Sequence, residues 1–174
     1  MQKVITPEIV RTFTKPCDKF LCKPSEEIKF IKFILRDADD NFILFDFEND
    51  EENQQQEVLS YQFTPQYFDI KTLGATKIFK TFDKPLKNLL LVDRFYFKNN
   101  LIKEYEFCFP FCIPHSTNTW ESMYDQPALG ANLKDLMLIN PWKTKSDTFL
   151  FIDGKLANHE RIEYDFSGGQ EDFD

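Results

Sequence analysis

Glycine is scarce in this sequence, with 5 residues among 174, and histidine is scarcer, with 2. No G-x-S-x-G elbow, phosphate-binding glycine loop, dinucleotide fingerprint or cysteine-nucleophile motif occurs, and the double glycine Gly168-Gly169 lies in the polar tail. His115 and His159 fall in separate segments without a metal-ligand pattern beside them, which argues against a metal site. His115 near Cys112 reads as a surface histidine beside a structural cysteine rather than as a thiol–imidazole pair. The expectation is a protein that is not an enzyme, with no catalytic residue, metal or cofactor.

Positive charge is also short, 21 Lys and Arg against 29 Asp and Glu, and a net charge of −8 repels phosphate polyanions. Nucleic acid is excluded as a partner on that ground. No apolar run approaches the ~20 residues that span a bilayer, so stable membrane insertion is not expected. The stretch Met1-Gln2-Lys3-Val4 is no signal peptide, Gln2 stands where myristoylation needs glycine, and no terminal Cys box precedes Asp174. Any lipid therefore belongs to a partner, and the expected location is the cytoplasm. There the 4 cysteines stay reduced. Cys108 and Cys112 lie roughly 13 Å apart along a strand, beyond disulfide reach. Cys17 and Cys22 can meet around a turn, but one such pair is weak evidence for zinc.

What is abundant is aromatic: 20 Phe and 6 Tyr. A domain of this length buries roughly 70% of its unfolded surface, and large rings packed inside it leave gaps, so a lined cavity is expected. Thr6, Pro7 and Glu8 read as an N-cap and first turn, with Ile9, Val10 and Phe13 apolar and the helix ending near Lys15-Pro16. Strand periodicity covers 28–36 and 42–47 around a turn at 37–41, then 61–63, 67–70, 77–82, 89–97 and 101–113. Residues 48–57 read as a solvated loop, and Asn99 and Asn100 as hairpin residues that tolerate positive φ. In 101–113, Tyr105, Phe107, Phe109, Phe111 and Ile113 share one face, and Pro110 marks an edge or a bulge. Residues 131–140 form an amphipathic helix on Leu133, Leu136, Met137 and Ile139, placed to cap an opening. Asp153-Gly154 turns a final hairpin between 149–152 and 155–164. The predicted fold is an all-β, immunoglobulin-like β-sandwich of about eight or nine strands. It divides into an N-terminal helical segment (1–27), a β-sandwich domain (28–166) and a flexible acidic tail (167–174).

Asp93 alternates with Leu89, Leu91, Phe95 and Phe97. It either faces inward and needs a partner, or lies at the strand rim. Tyr61 poses the same choice between a ligand-facing hydroxyl and a core ring.

The segments Ile5-Thr6-Pro7-Glu8, Tyr61-Gln62-Phe63-Thr64-Pro65, Gly74-Ala75-Thr76, Asp93-Arg94-Phe95-Tyr96-Phe97, Phe111-Cys112-Ile113-Pro114, Asn118-Thr119-Trp120-Glu121 and Ser146-Asp147-Thr148-Phe149 occur in that order. Together they resemble the uncoordinated-type (retinal protein 4-like) branch of the phosphodiesterase delta-subunit superfamily. The resemblance implies a sandwich that takes up the myristoyl group of N-myristoylated proteins and carries them between membranes. Release by a GTP-loaded Arf-like small GTPase, at a cilium or basal body, is implied with it. Positions matching Tyr61 and Asp93 recognise the acylated glycine in that family, and those matching Tyr67, Leu73, Phe95 and Leu150 line the pocket. Phe33, Phe107, Phe109 and Phe111 complete the candidate lining. The sequence departs from the family at Asp93 (Glu), Phe95 (His), Leu150 (Tyr) and Pro110 (Gly), which implies a shorter acid and a more apolar pocket. Its alternatives are a carrier of prenylated clients and a lipid-free interaction module with a filled core.

Overall fold

The computed structural model describes residues 3–49 and 56–168. The expected loop falls largely at 50–55 and the acidic tail at 169–174, both outside the described residues. The strands are β1 (Ile28–Asp37), β2 (Ile43–Glu48), β3 (Leu59–Gln62), β4 (Thr72–Thr81), β5 (Leu86–Phe97), β6 (Asn100–Cys112), β7 (Thr117–Asp125), β8 (Thr144–Ile152) and β9 (Lys155–Asp165). They form a 4-stranded sheet in the order β2-β1-β4-β7 and a 5-stranded sheet in the order β3-β9-β8-β5-β6. The sandwich is thus as the alternating pattern predicts, and helices α1 (Pro7–Val10) and α2 (Ala131–Ile139) flank it.

The turns follow local chemistry. Between β1 and β2, Asp37 and Asp40 carboxylates accept the backbone N–H groups of Asp39 and Phe42, and Asn41 takes φ 62°. At the β8–β9 turn Asp153 and Gly154 take φ 50° and 80°, as a type I′ turn requires. At the β5–β6 hairpin the positive φ falls on Lys98, at 53°, rather than on Asn99 or Asn100.

Other expectations are corrected. Residues 65–69 wind into a 3₁₀ helix (Pro65–Asp69) behind Thr64 instead of a strand, and β7, absent from the periodicity reading, supplies the ninth. Helix α1 stops after a single turn at Val10. In α2 the buried contact comes from Met137 with Leu133 and Leu138, whereas Leu136 and Ile139 are exposed. Phe111 does not share the inward face of Phe107 and Phe109. Asn88 on the paired strand takes φ 52°, the inward positions on β5 jump from Leu86 to Leu89, and on β6 they jump from Phe109 to Cys112. Phe111 is left 49% exposed on the outer side.

The N-terminal segment covers the outer face of the larger sheet. Val10 is completely buried against Val92, Phe149 and Phe151, with Ile5, Phe13 and Leu21 around them. Polar contacts pin it there. The Arg94 guanidinium donates to Phe13 O at 2.7 Å and to Tyr96 Oη at 2.9 Å, and pairs with Glu104. Asp147 accepts from Cys17 N and from His159 Nε2, both at 2.8 Å, while Leu21 N donates to His159 Nδ1 at 3.0 Å. Both imidazole nitrogens are therefore engaged. Burial, then Asp147, pushes the Cys17 thiol up to about 12. The ligand atoms of Cys17, Asp147 and His159 lie within 4.8 Å of one another, and the contacts among these residues clamp the N-terminal segment through the Cys17 backbone N–H and the imidazole.

Asp147→Ala strands the Cys17 and His159 donors, so it is expected to lower unfolding free energy by roughly 2–4 kcal/mol and to expose residues 3–27 to proteolysis. An unchanged urea midpoint would refute the clamp. Iodoacetamide at pH 8 is expected to label the exposed Cys108 at least tenfold faster than Cys17, as read by peptide mass mapping.

Candidate functional site

Alternation places ionisable side chains between the sheets. On β4, Lys77 shares the inner face with Leu73, Ala75 and Phe79. On β5, Asp93 shares it with Leu89, Leu91 and Phe95. On β6, Lys103 aligns with Tyr105, Phe107 and Phe109, and on β9, Glu160 aligns with Ile162 and Tyr164. Lys103 and Glu160 are partly buried among these rings.

Asp93 is inward and 3% exposed. Its Oδ2 accepts from Tyr124 Oη at 2.9 Å, Lys77 Nζ donates to the same phenol at 3.4 Å, and its Oδ1 has no partner. Glu160 accepts no hydrogen bond among the described residues. Desolvation raises its pKa, and Asp93 adds to the rise while Lys77 opposes it. Burial lowers the Lys103 ammonium to about 8, against the pull of Asp93.

This polar seam divides the interior. At one end Leu89, Leu91, Leu150 and Phe79 are at most 2% exposed and pack with Trp120. At the other, rings remain half-buried. Phe33, Phe45, Tyr61, Phe95, Tyr105 and Phe107 gather around Tyr67, Leu73, Tyr124 and Tyr164. Tyr61 lies 4.5 Å from Phe45 by ring centroids, burial raises its pKa, and its hydroxyl makes no hydrogen bond among the described residues. Tyr67 stands on the 3₁₀ helix and accepts from Lys103 Nζ at 3.1 Å. The Lys103 ammonium sits 4.4 Å from the Phe95 ring centre, and Lys77 sits 5.6 Å from that of Phe33. Phe107 meets Tyr124 edge-on at 4.7 Å.

Of the residues singled out from the sequence, Phe33, Tyr61, Tyr67, Leu73, Asp93, Phe95 and Phe107 thus converge on the loose end, whereas Phe109 and Leu150 belong to the tight end. Phe111 lies outside. Lys77, Lys103, Tyr124 and Glu160 were missed. The signal was available for the charged three, each two residues from an inward apolar neighbour on its strand.

Among the described residues, a small void of about 20 Å³ lies beside Tyr67, Phe95, Lys103, Met137, Thr144 and Phe166, where the lined cavity was expected. It has room for about a single water molecule. Any larger guest requires half-buried rings to swing.

With this geometry in hand, the chain compares as follows. Residues 23–166 match the family described as GMP-PDE, delta subunit. The chain is 38% identical to human "Protein unc-119 homolog B" over 184 residues, covering 95% of this chain and 73% of the relative. It is 38% identical to Caenorhabditis elegans "Protein unc-119" over 174 residues, covering 93% and 80%. To the Drosophila melanogaster unc-119 homolog it is 32% identical over 195 residues, covering 95% and 74%. The chain belongs to the GMP-PDE delta-subunit family, in its unc-119 branch.

Proposed function

We propose that this protein is a lipid-binding carrier that solubilises N-myristoylated client proteins by drawing their acyl chain between its sheets. Membership of the family and the unc-119 relatives fit a lipid-binding carrier. The observation that carries the finer reading is the coincidence of half-buried aromatic rings with the unpartnered oxygens of Asp93 and Tyr61 at one end of the interior.

An alkyl chain entering there first displaces rings that already keep solvent contact. Sheets stack about 10 Å apart, and slight parting admits one extended chain. Burial contributes about 0.8 kcal/mol per methylene, so roughly a dozen supply on the order of 10 kcal/mol against ring displacement and ordering. The acylated glycine then lies at the seam, where its N–H donates to Asp93 Oδ1 and its carbonyl accepts from the Tyr61 hydroxyl. A single myristoyl group holds a bilayer with a constant of only about 10⁴ M⁻¹, so extraction proceeds without nucleotide hydrolysis.

Release needs a partner that prefers the parted conformer, since only differential affinity shifts such an equilibrium. A GTP-loaded Arf-like GTPase fills that role in this reading, with uptake in the cytoplasm and delivery at a ciliary membrane or basal body.

In a titration with full-length protein, an N-myristoylated peptide beginning with glycine is expected to bind at least a hundredfold tighter than its unacylated twin. Tyr61→Ala is expected to weaken that binding about tenfold, the loss of about one hydrogen bond to a polar group of the peptide. Tighter binding of a farnesylated peptide would transfer the proposal to prenylated clients, and no binding of either would leave a lipid-free interaction module.

A further inference from the structure

Lys103 is a largely desolvated ammonium that feels the field of Asp93, and no carboxylate lies within ion-pair distance of it among the described residues. Its partners are neutral: Tyr67 Oη and Gln126 Oε1, each at 3.1 Å, and the rings of Phe95, Tyr67 and Tyr105. Gln126 is fixed in this orientation because its Nε2 donates to Ile70 O at 2.9 Å and Tyr67 O at 3.3 Å. A buried cation so placed has lost its hydration without forming an ion pair, and the cost, offset only in part by the field of Asp93, appears as the lowering of its pKa.

A second polar group faces the same void. Thr144 is 1% exposed, its Oγ1 has no hydrogen-bond partner, and it lines the cavity together with Lys103. Tyr67 adds a further donor. Its oxygen accepts from Lys103, burial keeps the phenol protonated, and the proton remains free to give. Lys103, Tyr67 and Thr144 therefore line one void, and no carboxylate residue lines it with them among the described residues. The remaining walls are apolar, including Phe68, Ile102, Leu129, Met137 and Phe166.

From this juxtaposition we infer that the same slot also takes unesterified fatty acids, the carboxylate held by Lys103, Thr144 and Tyr67 and the tail running between the sheets toward Phe107 and Phe109. The inference rests on the carrier reading, since the tail needs the same parted sheets. It goes beyond that reading because an acylated protein presents an amide, which has no charge for the ammonium to meet. Along β6, Lys103 and Phe109 stand about 20 Å apart at the usual rise, room for a long single chain laid between them. The charge is matched as well. A monovalent carboxylate neutralises a lone ammonium, whereas a phosphate headgroup would bring excess negative charge into a protein of net −8.

The test uses full-length protein and compares myristate, myristyl alcohol and an N-myristoylated peptide by calorimetric titration, with wild type, Lys103→Met, Lys103→Arg and Thr144→Val. Thermal unfolding first establishes that each variant is folded. Wild type is expected to bind the acid at least tenfold tighter than the alcohol. The acid-over-alcohol ratio should fall to near one in Lys103→Met, persist in Lys103→Arg and decline several-fold in Thr144→Val. Equal affinity for acid and alcohol in wild type, with the acylated peptide still bound, overturns this inference and leaves the carrier reading standing. A ratio untouched by Lys103→Met overturns it as well. Failure of wild type to bind any of the lipids removes both readings together.

Discussion

Asp93 lies between the sheets with Tyr124 satisfying one carboxylate oxygen and nothing among the described residues satisfying the other. An ionised carboxylate so placed costs several kcal/mol unless its surroundings supply compensating charge. Lys77, hydrogen-bonded to the same phenol, is one source, and the field of Lys103 is another. Side chains of this kind cannot close into a dry aliphatic layer. Their presence at the middle of the sandwich separates a tightly packed end, built on Leu89, Leu150 and Phe79, from an end where rings retain solvent contact. The looseness of that end is thus a consequence of buried polarity rather than of missing side chains.

The larger sheet is fastened on both faces, and this decides which part of the sandwich can move. Its outer face carries the N-terminal segment, held by Val10 in an apolar niche and by the Arg94, Asp147 and His159 contacts. The smaller sheet has no such cover along β7, where Thr117, Thr119, Glu121, Met123 and Asp125 are exposed. Its other edge strand, β2, leaves Ile43 and Phe47 in solvent. Parting the sheets therefore displaces the smaller one. Phe33 and Phe45, which it carries, are the rings in the way.

Much of the architecture was legible in the sequence because period-two alternation and turn chemistry act locally. The Asp153-Gly154 turn, the Thr6 cap and the 37–41 turn formed as their residues dictate. The failures have tertiary causes. Residues 67–70 looked extended, yet Tyr67 must pack on Phe63 and Phe166 at 5.1 and 4.9 Å, and a helical turn delivers it there. The face of Phe111 depended on the left-handed Asn88 of a neighbouring strand, which no pattern within β6 encodes. β7 escaped because Ser122 interrupts the apolar series between Trp120 and Tyr124. The site was half legible. Asp93 attracted notice among leucines and aromatics, whereas Lys77 and Glu160 alternate with isoleucine, phenylalanine and tyrosine less conspicuously.

Phe95 ties these features together. The family resemblance expects histidine there, and a phenyl ring makes the mouth of the slot more apolar, which by itself disfavours charge. Yet the face of a phenyl ring bears partial negative charge, and the Lys103 ammonium rests 4.4 Å from its centre. A histidine in its place, once protonated, would repel that ammonium. Phe95 therefore lets a buried cation persist beside it, with hydrogen bonds to Tyr67 and Gln126 among the described residues. Apolar lining and cationic end-group are two results of one ring, and together they give the slot the polarity of a detergent turned outside in.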